Sequence, residues 1–276
     1  MSTWQIPAKT FLIGEYLALD AGPAILLTTK PCFELSLVSE GSLPFHPQSP
    51  AGRFCRDHQL EHRLIWHDPY HGLGGLGASS AEFIGSFYAH CELTKRSFNR
   101  EALLDAYWTY AWSNQGKKPS GYDVIAQTLH DCVMIHQAEN DVRTCAWPFE
   151  DIGFVLVHTR HKLATHEHLK AVSFKHDQTA ILHQIAQKAW MAFEAISSHA
   201  LITAVNEYHS ALQSMNLVAS TTVSLIDELS LALKPLAIKG CGALGADVVL
   251  MIMDRSRIAG AHSILKQKDI RVLSEI

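Results

Sequence analysis

The chain has 276 residues, 47% of them hydrophobic and 18% charged, which is enough apolar material for one large domain or two ordinary ones. Its net charge of −4 excludes a basic stripe for nucleic acid or an anionic membrane, so a site for anionic phosphates has to be built locally from lysines, backbone amides and metal. No apolar run reaches the ~20 residues of a membrane span, and residues 1–6 lack the charged and apolar regions of a secretory signal.

In chain order, residues 10–13 and 24–29 read as strands, joined through Gly14-Glu15-Tyr16 and a turn at Asp20-Ala21-Gly22-Pro23. Residues 33–38 alternate apolar and polar side chains and predict a half-exposed third strand. The stretch 40–71, rich in Gly, Pro, His and Arg, gives only short-strand signals. Helices are expected over 79–93 and 99–113, a loop over 114–121, a helix over 122–129 and a strand over 132–135. Pro148 and the acidic residues after it precede a fresh strand at 153–158, which puts a domain junction there and divides the chain into 1–148 and 149–276. Helices follow over 178–197, 200–214 and 220–233, then a glycine-bearing turn at 240–245, a strand at 248–253, a helix at 257–266 and a strand at 270–273. Strands and helices mix without the strict alternation of a doubly wound sheet, so the expected class is α+β in two unequal domains.

The six cysteines are scattered, with no C-x-x-C pair, and read as reduced thiols of a cytoplasmic protein. Of 17 histidines, His58, His62, His67 and His71 fall close together, as do His161, His166 and His168. Neither group has the spacing of a zinc site, so no transition metal is expected.

Four segments carry glycine or small polar residues that core packing does not require. They are Pro7 to Tyr16, with Lys9 and a Gly14-Glu15 turn; Gly75-Leu76-Gly77-Ala78-Ser79-Ser80-Ala81, a glycine loop running into a helix; Pro119-Ser120-Gly121-Tyr122-Asp123; and Lys239 to Asp247. Taken singly, each has a plain reading. A glycine loop makes a turn and helix cap, an aspartate after Ser-Gly caps a helix, and a lysine by a strand is a solvated end. Taken in this order, they resemble the GHMP kinases, the group of galactokinase, homoserine kinase, mevalonate kinase and phosphomevalonate kinase. Pro7, Lys9, Leu12, Gly14, Glu15 and Tyr16 fit the opening P-G-K-x-x-L-x-G-E-[YH] of that family, with Ala8 for its glycine. Ala21-Gly22-Pro23-Ala24 is similar to the G-x-P-A that follows in the mevalonate branch. Gly75, Leu76, Gly77 and Ser79 fit G-L-G-S-S-A, with Ala78 where the first serine stands. Gln115-Gly116-Lys117 and Ser120-Gly121-Tyr122-Asp123-Val124 resemble phosphomevalonate kinase most, while Pro119 fits the P-S-G-x-D of mevalonate kinase. Thr159 to Thr165 resembles T-G-K-x-A-S-T of phosphomevalonate kinases. The fourth segment departs from the family's G-A-G-G-G-G-C, because Cys241, Ala243 and Leu244 interrupt it.

The resemblance implies an N-terminal α+β domain of a ribosomal-protein kind, a ferredoxin-like C-terminal domain, and a site in the cleft between them. It implies an ATP- and Mg²⁺-dependent kinase acting on phosphomevalonate or mevalonate. The diphosphomevalonate decarboxylases fit less well, since their opening segment lacks K-x-x-L-x-G-E. Gly75, Leu76, Gly77, Ala78, Ser79 and Ser80 would wrap the ATP phosphates, with Ser79 on Mg²⁺ and Ser80 as the alternative hydroxyl. Asp123 would take or orient the acceptor proton, and Lys9 would stabilise charge on the transferred group. Glu15 would contact substrate or brace Lys9. Lys117, Ser120, Gly121, Arg160, Lys162, Thr165, Gly240 and Gly242 would hold substrate. Glu82 and Glu101 are the candidates by position for an acidic Mg²⁺ ligand. The expected partner is a small molecule, with neither nucleic acid nor membrane, for a monomer or homodimer. Two other readings stand beside this one: a kinase-derived binding protein without turnover, and a kinase of another small alcohol or phosphate.

Overall fold

The computed structural model describes residues 2–159 and 176–276. Contacts group the chain into two units, neither of them one stretch of sequence. Met1–Lys9, Thr28–Gly72 and Leu76–His130 make the first; Thr10–Leu27, Leu73–Gly75 and Asp131–Ile276 make the second.

Strand β1 (Ser2–Ile13) is longer than its apolar run suggests, so Lys9 lies inside a strand rather than ahead of one. Exposed Thr3 and Gln5 alternate with Trp4 and Ile6, the pattern of an extended chain buried on one face. Strand β2 (Ala24–Leu37) is continuous where two strands are expected. Pro31 punctuates the sequence, but its fixed φ suits extended backbone and costs only one donor.

The first unit adds helices α1 (Pro50–Asp57), α2 (Ala78–Thr94), α3 (Arg100–Ala111) and α4 (Tyr122–Gln127). Strand β3 (Leu64–His67) pairs antiparallel with residues 34–37 of β2. Helix α1 falls in the stretch that the sequence reading leaves to short strands. Its start is nonetheless well specified: Ser49 Oγ accepts from the Gly52 N–H at 3.0 Å, and Pro50 sits in the first turn. Phe54 of α1 meets Phe83 of α2 at 5.1 Å and Tyr110 of α3 at 5.4 Å between ring centroids, so three helices share one aromatic core. Helix α2 is buried on most of its faces, which is why its sequence carries no polar stripe.

The second unit holds β4 (Cys132–His136), β5 (Asp141–Cys145), β6 (Ile152–His158), α5 (His176–Glu194), α6 (Ser198–Ser214) and α7 (Ser220–Leu233). It ends with β7 (Ala237–Cys241), β8 (Val248–Asp254), α8 (Arg255–Gln267) and β9 (Val272–Glu275). Strand β4 pairs antiparallel with residues 24–27 of β2 and with β5, in a sheet ordered β1-β2-β4-β5 with β3 on β2. The other sheet runs β7-β8-β6-β9 and is antiparallel throughout. Val155, Val157, Val249 and Met251 pack with Ile226 and Leu229 of α7 and with Ile258 and Leu265 of α8. Strands β6 and β8 are buried almost throughout, hence their unbroken apolar runs. Strand β7 includes Gly240 and Cys241, so the turn begins only at Gly242. The class is α+β, as the sequence indicates. Among the described residues no helix is long and apolar enough to cross a membrane.

Candidate functional site

In the first unit, Lys9 is the centre of a small polar cluster. Its Nζ lies 2.9 Å from Asp123 Oδ2, and its side chain is 9% exposed against 37% for Asp123. A lysine buried to this degree needs a counter-charge, and Asp123 provides it. Asp123 sits in the first turn of α4, where a negative charge also meets the positive end of the helix dipole. The turn ahead of it is fixed by α3: the Trp108 Nε1–H donates to Pro119 O at 2.9 Å, and Lys118 Nζ lies 3.3 Å over the Trp108 ring.

The glycine loop meets the same cluster. The Lys9 N–H donates to Leu76 O at 3.0 Å, which ties β1 to the loop through the backbone. Gly77 has φ +81°, and a Cβ there would stand 2.9 Å from Lys9 Cε and 2.9 Å from Gln127 Oε1. Only glycine satisfies both the backbone angle and the space. Gly75, with φ +84°, packs instead on Asp247, where a Cβ would stand 2.6 Å from the Asp247 Cβ. Helix α2 starts at Ala78 with Gly77 as its N-cap and no side-chain cap, so its first amides keep the unpaired donors of a helix start. The tandem serines diverge. Ser79 is exposed, while buried Ser80 hydrogen-bonds Gly77 O at 3.0 Å and Gln127 Oε1. Ser79 therefore carries the hydroxyl open to a ligand. Leu76 is buried and contributes backbone only, and Ala78 is half-buried.

Gln127 is the residue that sequence reading misses. Its Nε2 donates to Pro7 O at 2.7 Å while its Oε1 accepts from Ser80, so one buried amide ties two of the four glycine-bearing segments to the helix that the third one opens. It lies four residues after Asp123 on α4, hence on the same face. The available signal was a lone amide closing the apolar run Val124-Ile125-Ala126. Ser120 Oγ accepts from the Tyr122 N–H at 3.3 Å, Gly121 (φ +75°) is the N-cap of α4, and Lys117 is exposed. Glu82 is half-buried in α2 and Glu101 is exposed in the first turn of α3.

A second cluster belongs to the second unit. Glu15 Oε1 lies 2.7 Å from Lys239 Nζ, with side-chain exposures of 6% and 0%. Lys239 is therefore the charged partner that the structure gives Glu15. Burial pulls the lysine pKa down, Cys241 and Glu15 push it up, and the net shift is upward, so the ammonium is retained. The Cys241 thiol is itself raised, above all by burial. Glu15 Oε2 is buried and has no hydrogen-bond partner among the described residues. Tyr16 Oη accepts from the Leu244 N–H at 3.1 Å; burial, opposed in part by this bond, pushes the phenol up to about 12 and keeps it neutral. Leu244, at φ +54°, occupies the left-handed region that glycine adopts most readily. Gly240 is a packing residue, since a Cβ there would stand 2.6 Å from Gly245 O, whereas Gly242 at φ +88° has, among the described residues, only Asp247 Oδ2 within 4 Å of such a Cβ, at 3.8 Å. Arg160, Lys162 and Thr165 lie outside the described residues.

No protein-family model and no curated protein matches the chain. Solved structures do. The Streptococcus pneumoniae phosphomevalonate kinase in complex with phosphomevalonate and AMPPNP superposes with a TM-score of 0.79 at 15% identity, covering 100% of this chain and 99% of that one. The Methanococcus jannaschii mevalonate kinase gives 0.75 at 14%, covering 99% and 97%. This chain has the GHMP-kinase fold. The Lactococcus lactis galactokinase complexed with galactose gives 0.74 at 10% identity, covering 99% and 92%. The GHMP-kinase fold thus extends over the whole chain, and kinases of different acceptors match it about equally well.

Proposed function

We propose that the chain is an ATP-dependent small-molecule kinase, transferring the γ-phosphoryl group of ATP to phosphomevalonate or mevalonate. The observation that carries this reading is the 2.9 Å Lys9–Asp123 pair packed against the Gly77 turn that opens α2. Residues 1–148 would supply the nucleotide-binding and catalytic groups, and residues 149–276 the substrate side, with Glu15, Lys117, Ser120, Gly121, Arg160, Lys162, Thr165 and Gly242 as candidate substrate contacts.

The loop fits a polyphosphate. Two glycines keep Cβ atoms away, the uncapped amides of α2 offer donors, and Ser79 offers an exposed hydroxyl. Among the described residues no group of three or more His, Cys, Asp or Glu is poised to hold a metal. Mg²⁺ is usually held by one or two protein groups together with phosphate oxygens. Ser79 would be one such group, and the ion when bound supplies positive charge against the polyphosphate. With an alcohol acceptor, Asp123 takes or orients the hydroxyl proton. Lys9, already held at hydrogen-bond distance from Asp123, offsets negative charge on the transferring group at no further cost in ordering.

The test is turnover of purified protein with Mg²⁺-ATP over mevalonate, phosphomevalonate, homoserine and galactose. ADP release with one of them is the expected result. Binding of an acceptor by calorimetry with no ATP consumed across the panel favours a binding protein instead, a reading that rests on Leu244 interrupting the fourth segment. Gln127→Leu supplies a further check. It strips the Pro7 carbonyl of its Gln127 donor and leaves Ser80 with Gly77 O alone, at a cost of about 1–3 kcal/mol. Loosening Lys9 against Asp123 is expected to lower kcat by about 10²-fold while KM stays nearly constant. A parallel rise in KM with kcat intact would show that Gln127 serves binding only.

A further inference from the structure

Away from Lys9 and Asp123, the β4–β5 hairpin sets two thiols face to face. Cys132 opens β4, Cys145 closes β5, and the antiparallel register makes them direct partners. Directly opposed residues of such a pair project to the same face with Cα atoms about 4.5–5.5 Å apart, inside the range of about 4.4–6.8 Å that a disulfide spans. The two side chains are within hydrogen-bonding reach of each other, and both are free thiols. Cys132 is buried and Cys145 is half-buried, at the end of a strand that forms the edge of its sheet. One sulfur is therefore open to a reagent and the other waits behind it.

We propose that Cys132 and Cys145 form a reversible cross-strand disulfide, an oxidation site that reacts with low-molecular-weight disulfides. The Cys145 thiolate attacks one sulfur of the reagent, whose S–S bond breaks and releases one thiolate. The Cys132 thiol then gives its proton to that thiolate and attacks Cys145 Sγ, expelling the second half of the reagent. One S–S bond is made in the protein and one is broken in the reagent; the protein loses two electrons and the reagent gains them. Cys145 suits the attacking role, because the hydrogen bond from Cys132 outweighs burial and brings its pKa down to about 7. The same bond, with burial, holds Cys132 up, so it reacts second. Burial raises the thiols of Cys32, Cys55, Cys91 and Cys241, which disfavours their thiolates. The product joins the edge strand to its neighbour.

Full-length protein is incubated with oxidised glutathione, alkylated under denaturing conditions and mapped by mass spectrometry. Two of the six thiols should disappear into one peptide pair joining Cys132 to Cys145, with a mass loss of about 2 Da that a reductant reverses. In Cys145→Ser, Cys132 should remain alkylatable. The urea midpoint of oxidised wild type should rise, while that of Cys132→Ser treated alike should not. Separate alkylation of both cysteines after oxidant, a stable glutathione adduct on Cys145, or a lowered midpoint in the cross-linked protein would each overturn the assignment.

Discussion

Asp123→Asn is expected to lower phosphoryl transfer to an alcohol acceptor by about 10²–10⁴-fold, the usual worth of a positioned general base. Asparagine keeps the size and much of the hydrogen bonding of aspartate but removes both the proposed base and the charge opposite Lys9. A structural cost comes with it, since Lys9, 9% exposed, loses the counter-charge it has in Asp123, which is itself 37% exposed. Steady-state kinetics and a melting curve on the same preparation separate the two effects. Lys9→Met is the companion, because groups that act as a unit lose activity non-additively. If the double variant is no worse than either single one, Lys9 and Asp123 work together. An unchanged rate for Asp123→Asn removes it from the mechanism.

Lys239→Met should have the largest effect on stability. Removing one member of a buried ion pair strands its partner, at a cost of about 3–5 kcal/mol. Glu15, only 6% exposed, would be left without its 2.7 Å ammonium. Adding Glu15→Gln to the same chain should recover much of the loss, because the stranded charge is gone. The pH dependence has a definite sign. The folded-state pKa of Lys239 lies above its ordinary value, since the rise from Cys241 and Glu15 outweighs the fall from burial. The stabilisation is thus complete below the ordinary lysine range and is lost as pH climbs through the raised value. Urea unfolding from neutral into alkaline solution should show that loss in wild type and not in the double variant. An equal slope in both would remove the pair as its origin.

Much of this architecture is legible in the chain because burial leaves a mark on local sequence. Strands β6 and β8 are buried almost throughout and read as plain apolar runs. Helix α1 escapes because its apolar content is low and its start is signalled only by Ser49-Pro50. At the site, Lys9, Gly77 and Asp123 stand out because conformation and charge restrict each of them locally. Gln127 and Lys239 do not. Their partners are 120 residues away at Pro7 and 224 away at Glu15, and nothing in the neighbouring sequence announces so distant a bond. Ser79 and Ser80 show the same limit at shorter range. The two are identical as letters, and only packing decides which hydroxyl faces outward.

Gly77 meets three demands at once: a left-handed backbone angle, the start of a helix, and room for a lysine methylene on one side and an amide on the other. Alanine fails the first and the third, and asparagine, which tolerates the angle, fails the third. In a saturation library selected for activity, codon 77 should therefore return one amino acid, whereas codon 79, whose hydroxyl is exposed, should accept threonine. Neutral drift has no path through such a position, because a single-base change there costs both the backbone angle and the space.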